Sequence, residues 1–130
     1  MKERLKRYAR LLCEIDVEER RLLALTQNKG YWADVTREVI LRHLKELEKR
    51  ERAENEALSG ILKALPKAEQ RQVIMARYFD GHSWAEVARV LFGRHADFYD
   101  KLESYQRRVY RIHGLALTNA NKIANEGKNG

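Results

Sequence analysis

Pro66 is the only proline in the 130-residue chain. On both sides of it Leu, Ala, Glu, Lys and Arg dominate, the residues that lose least on entering a helix. Proline inside a helix removes a backbone donor and clashes with the preceding turn, so its near absence permits long uninterrupted helices. The sequence predicts an all-α protein that changes direction at Pro66, with one small domain or one domain carrying an appended helical element.

Before the proline, Leu5, Tyr8, Leu12, Ile15 and Leu22 recur at steps of three, four, three and seven, with Glu19 at the skipped position. That is one narrow apolar seam on a helix running from Lys2 to about Gln27. "NKG" supplies a stop at Gly30, and Asp34 is the expected N-cap of the next helix. Ile40, Leu44, Leu47, Leu58, Ile61, Leu62 and Leu65 give that second helix its seam up to Pro66. A long antiparallel helical hairpin over residues 1–65 follows. Its middle, "KELEKRERAENEA", is nearly all charged. This is either a solvated helix held by i,i+4 ion pairs or a protruding coiled coil that meets a second copy or a partner. Tyr31 and Trp32 are expected to cap the hairpin end.

After Pro66, which suits a first helical turn, "KAEQRQVIMARYF" reads as a compact helix ended by Asp80-Gly81. Ser83 and Glu86 have the spacing of a capping box at the start of "SWAEVARVLF", which Gly93 closes. Short helix, tight turn and short helix form the front of a helix-turn-helix unit. Two readings of the next segment stay open. In one, a single helix spans residues 97–123, with Asp97 and Asp100 at its start and Phe98, Leu102, Tyr105, Val109, Ile112, Ala116 and Ile123 on one seam broken by Asn119. In the other, residues 94–103 form a loop or short separate helix, and the recognition helix begins at Ser104.

Away from that seam lie Arg107, Tyr110, Arg111 and Gly114, flanked by Ser104, Gln106 and Arg108. Arginine can pair bidentately with guanine or phosphate, and glutamine with adenine, so this face is equipped to read a major groove. Solvated arginines on a basic protein are the plainer alternative. The formal charge is +7, from 26 Lys+Arg against 19 Asp+Glu. It divides as +3 over residues 1–65, zero over 66–100 and +4 over 101–130. The excess favours an anionic partner and concentrates toward the C-terminal part.

Cys13 is the single cysteine, so no disulfide framework or CxxC site can form within the chain. "MKERLKRYAR" has no apolar run of a signal peptide and no segment reads as a membrane span, which predicts a cytoplasmic protein without membrane contact. The histidines at 43, 82, 95 and 113 lack metal-site pairing. No P-loop, nucleophile elbow or Cys-His arrangement is present, so neither catalysis nor a metal or cofactor is expected. His113, beside the seam, is expected to be a satisfied packing or backbone-contact residue.

"LPKAEQRQVIMARYFDGHSWAEVARVL" followed by "RRVYRIHGLAL" resembles the C-terminal region of phage and prophage transcriptional regulators of the RinA and ArpU kind. It is similar, more distantly, to the promoter-reading region four of sigma-70-type factors. The residues that carry the likeness are Arg71, Arg77-Tyr78, Asp80-Gly81, Ser83-Trp84, Glu86-Val87-Ala88, Val109-Tyr110-Arg111-Ile112-His113 and Ala116-Leu117. The likeness covers about the last half of the chain.

The resemblance implies a DNA-binding helix-turn-helix over residues 66–125, ahead of a flexible tail at 126–130. It implies Ser83 at the phosphates, Gln106, Arg107, Arg108 and Arg111 at the groove, and Trp84, Val87, Val109 and Ile112 in the core. The sequence departs from the short pattern by about ten residues, "RHADFYDKLE", whose acids would be repelled by phosphate if they led the recognition helix.

The expected function is sequence-specific binding of double-stranded DNA to regulate phage or prophage genes, late ones above all, in the cytoplasm of a host bacterial cell. The expected site is Ser83, Gln106, Arg107, Arg108, Tyr110 and Arg111. The hairpin would supply a homodimer contact or meet host RNA polymerase. Two rivals are a phage genome-packaging recognition subunit and a protein-interaction module that contacts polymerase without reading DNA.

Overall fold

The computed structural model describes residues 1–129 of the chain, with side chains through residue 127. Among these residues all regular structure is helical: α1 (Lys2–Ala24), α2 (Tyr31–Lys63), α3 (Ala68–Ile74) continuing into a π-helical turn (Met75–Phe79), α4 (Trp84–Phe92) and α5 (Leu102–Asn129). The all-α expectation holds. The segment read as a tail is helical through Asn129, and Gly130 lies outside the described residues.

α1 and α2 form the expected antiparallel hairpin, and the 33 residues of α2 make it about 50 Å long. The hairpin closes by a device the sequence did not advertise. Arg37 donates from Nη2 to the carbonyl oxygens of Leu25 (2.8 Å) and Asn28 (2.7 Å), and from Nη1 to Asp34 (2.6 Å). One guanidinium thus satisfies carbonyls left over at the end of α1. Asp34 lies in the first turn of α2 and is not its N-cap: Gly30 is, at a φ of 117° that an L side chain rarely adopts. Tyr31 and Trp32 do not cap the hairpin either, because they are 72% and 77% exposed.

The charged middle of α2 is not held by the expected i,i+4 pairs. Its acids reach across to α1, where Arg4 pairs with Glu54 and the Tyr8 hydroxyl donates to Glu51 at 2.8 Å. Asn55 Nδ2 donates back to the Tyr8 oxygen at 2.8 Å. Burial is the first cause that raises the Tyr8 pKa, and the carboxylates of Glu51 and Glu54 add to it.

Pro66 sits just before α3 rather than in its first turn, since Lys67 is the N-cap and α3 begins at Ala68. Arg71 Nη1 donates to the Leu65 carbonyl at 2.9 Å and ties α3 to the end of α2. The π turn then admits one extra residue, with the Asp80 N–H donating to the Met75 carbonyl at 2.9 Å. Gly81, at a φ of 74°, turns the chain into α4.

Two apolar clusters result. The first joins Leu5 and Tyr8 of α1, Leu58 and Leu62 of α2, Ile74 and Tyr78 from the α3 segment, and Ala116 and Ala120 of α5. The second joins Val73 and Ala76 to Val87, Ala88 and Phe92 of α4, then to Phe98, Val109 and Ile112. Asn119, the polar break in the α5 seam, donates from Nδ2 to buried Gln70 at 3.1 Å. Its amide is thereby satisfied inside the packed face.

The reading of one helix over residues 97–123 is corrected. Residues 93–101 form successive turns and α5 begins at Leu102, two residues before the start in the alternative reading. Phe98 is buried in the second cluster from this turn segment instead of lying on the helix seam. A Cβ on Gly93 would come within 2.4 Å of the Arg89 carbonyl oxygen, so a glycine is needed where α4 gives way to the turns.

Candidate nucleic-acid interface

The interface is built around the start of α4. Ser83 has an extended backbone, and its Oγ accepts from the Glu86 N–H at 3.2 Å, so the capping box forms as read. His82 Nδ1 lies 2.7 Å from the Glu86 carboxylate, and this contact is the first of the causes that hold the Glu86 pKa below its ordinary value. The Ser83 hydroxyl is exposed beside the free N–H groups of the first turn.

Trp84 connects this turn to the rest of the surface. Its indole lies under the Arg77 guanidinium, 4.7 Å from the ring centroid, and Arg77 Nη1 also donates to the His82 carbonyl at 3.0 Å. Across from Arg77 the indole meets α5, with the Tyr110 ring 5.2 Å away and the His113 ring edge-on at 4.7 Å. Trp84 is half-buried, so it is both wall and contact surface, whereas Val87, Val109 and Ile112 are core as expected.

His113 is the satisfied packing residue anticipated from its place beside the seam. Burial, then the positive charges of Lys2 and Arg77, push its pKa down to about 4. The ring is therefore neutral near pH 7, and its Nε2 shares a 2.8 Å hydrogen bond with the Tyr78 hydroxyl.

The six expected site residues divide. Arg107 and Arg111 are exposed on the face of α5 opposite Val109, Ile112 and Ala116. Tyr110 lies on the same side, 52% exposed, with its ring against Trp84, so α5 and the Ser83 turn share one surface. Arg108 points to the other flank and covers Phe92 at the far end of α4, 4.8 Å from the ring centroid. Gln106 is half-buried. Among the described residues no carboxylate is within ion-pair distance of Arg107, Arg108 or Arg111.

The acids of the insertion are placed differently from the first reading. Asp97 lies in the turn segment, where Tyr105 donates to it at 2.6 Å and Lys101 pairs with it at 3.5 Å. The Tyr105 hydrogen bond is the first cause of its lowered pKa. Asp97 and Asp100 thus fall outside α5, and Glu103 alone remains in its first turn.

Sequence reasoning missed Arg77 as a surface cation and gave no role to Lys2, Lys6 and Arg10, which gather near it. The signal was present: Lys2, Lys6 and Arg10 recur every four residues and so share a face of α1. Among the described residues no cluster of His, Cys, Asp or Glu could hold a metal ion, and no helix is long and apolar enough to cross a membrane. No family model, curated protein or solved structure matches this chain.

Proposed function

We propose that the protein is a non-catalytic, sequence-specific DNA-binding regulator of phage or prophage transcription, with α5 as the groove-facing helix and the Ser83 turn at the phosphates. The observation that carries this reading is one continuous surface. It runs from the capped start of α4 through Trp84 and Tyr110 to Arg107 and Arg111, none of which is spent on an internal ion pair. The departure of Asp97 and Asp100 into the turn segment supports it further, since it removes two like charges from the end of α5 that would approach phosphate. Arg108 is assigned a flanking rather than a central contact, because its guanidinium already covers Phe92.

Fluorescence anisotropy with duplexes from the DNA flanking the gene tests the assignment. Arg107→Ala and Arg111→Ala are each expected to weaken the specific complex by about 1–3 kcal/mol and to relax discrimination at one base pair. If Arg107, Arg108 and Arg111 changed together to Glu leave affinity and its salt slope unaltered, the assignment is wrong.

A second reading, a protein-interaction module, is supported by the hairpin end, where Tyr31, Trp32 and Val39 are exposed apolar side chains. Binding to host RNA polymerase that persists at high salt, with no DNA affinity at low salt, would favour it over the first.

A further inference from the structure

The first turns of α1 lie beside the start of α4, and together with the π turn they enclose an open recess of about 500 Å³. Lys2, Lys6 and Arg10 line it from one side, Arg77, Gly81 and Trp84 from the other, and no acidic side chain contributes to the lining. All three α1 cations are exposed. Lys6 has one weak partner, Glu3 on the same helix at 3.7 Å, while Lys2, Arg10 and Arg77 have no ion pair among the described residues. Four cations converge here with Glu3 as the one acid paired to any of them, an excess of positive charge that an anion relieves. The low pKa of His113 comes first from burial, and the charges of Lys2 and Arg77 add to it, which places both cations near that ring.

An indole wall under a guanidinium and an adjoining N-terminal helix turn suit a phosphodiester better than a carboxylate-bearing peptide. Phosphate offers several oxygens to spaced donors, and the neighbouring sugar can lie on an apolar ring. The recess also adjoins the surface already described, since Trp84 forms part of both.

We propose that this recess is a phosphodiester-binding site through which the N-terminal hairpin grips the backbone of the same duplex that α5 reads. The inference rests on the DNA-binding reading, and it gives α1 a direct nucleic-acid role in place of a purely oligomeric one. Contacts here position the protein on DNA and carry no base information.

The test compares two triple variants of equal charge by anisotropy over a range of salt concentrations. One is Lys2→Gln, Lys6→Gln and Arg10→Gln in the recess. The other is Lys45→Gln, Lys49→Gln and Arg52→Gln on the exposed face of α2. Each phosphate contact contributes about 0.9 to the slope of log K against log salt, so the recess variant is expected to lose about 2–3 from that slope. Its affinity should fall by roughly tenfold or more at moderate salt, equally for specific and non-specific duplexes, while the α2 variant changes little.

In a Trp32→Phe background, which leaves Trp84 as the remaining indole, duplex should perturb the fluorescence, and the recess variant should lose that response. Three results overturn the proposal and leave the DNA reading standing: an unchanged slope in the recess variant, an equal loss in the α2 variant, or tighter binding of single strands than of duplex at Trp84. Absence of any duplex binding by the unaltered protein removes both.

Discussion

The two ends of the α1–α2 hairpin are made of similar residues and put to different uses. At one end Leu5, Tyr8, Leu58 and Leu62 are sealed into a cluster with α3 and α5. At the other, Leu23, Trp32 and Val39 stand in solvent, and a single arginine closes the loop through hydrogen bonds to carbonyls. The hairpin is therefore anchored at one end only. Apolar side chains at the anchored end hold the fold together, and those at the free end contribute little to it.

The largest expected effect is at the anchored end. Leu58→Ala should cost about 2–5 kcal/mol in urea denaturation, since Leu58 is 1% exposed and removing its side chain leaves a cavity shared by several helices. A cost near that of a surface change would erase the contrast between the two ends. Acid should act at the same end. The folded His113 pKa of about 4 lies below its usual 6.5, so the unfolded chain takes up that proton first. The corresponding stability is complete above pH 6.5, declines as pH falls and is gone below about 4, a loss of up to roughly 3 kcal/mol. His113→Gln should flatten that part of the stability profile, and a profile identical to that of the unaltered protein would show that the ring is not held neutral.

Also at the anchored end, Tyr8→Phe removes the hydroxyl shared by Glu51 and Asn55 and should cost about 1 kcal/mol, read by the same denaturation. At the free end Trp32→Ala should change stability by no more than about 0.5 kcal/mol, with the thermal midpoint preserved. A larger loss would mean that the indole packs in the native protein, which its exposure opposes.

The elements with long apolar periodicity were legible from the sequence: both hairpin helices, the α4 capping box and the inward face of α5 follow the spacing of Leu, Ile, Val and Ala. What misled was periodicity continuing where the helix does not. Phe98 has the right phase to join Leu102 and Tyr105, yet Gly93 and the Asp97–Tyr105 hydrogen bond favour turns that still bury its ring. Of the candidate interface, Arg107, Tyr110 and Arg111 follow from their place off the apolar seam, and Ser83 from the resemblance together with its capping position. Lys2, Lys6 and Arg10 share a helical face in the sequence, but their gathering with Arg77 depends on how the hairpin docks against α4, which no local pattern encodes. Arg108 lies on the flank as its position suggests, but its cover over Phe92, sixteen positions earlier, is a contact between α5 and α4 that the sequence does not show.

The π turn at Met75–Phe79 also governs direction. The segment serves both clusters, with Val73 and Ala76 in the one that includes α4 and Ile74 and Tyr78 in the one that includes α1, and the turn carries its surplus residue between them without ending the helix. Four of its five residues, Met75, Ala76, Tyr78 and Phe79, are apolar, so shortening it to an ordinary helical turn by any deletion other than that of Arg77 also removes an apolar side chain. Deleting Arg77 instead removes the cation that lies over Trp84. The turn's length is thus tied both to the apolar packing of the segment and to the cation that faces Trp84.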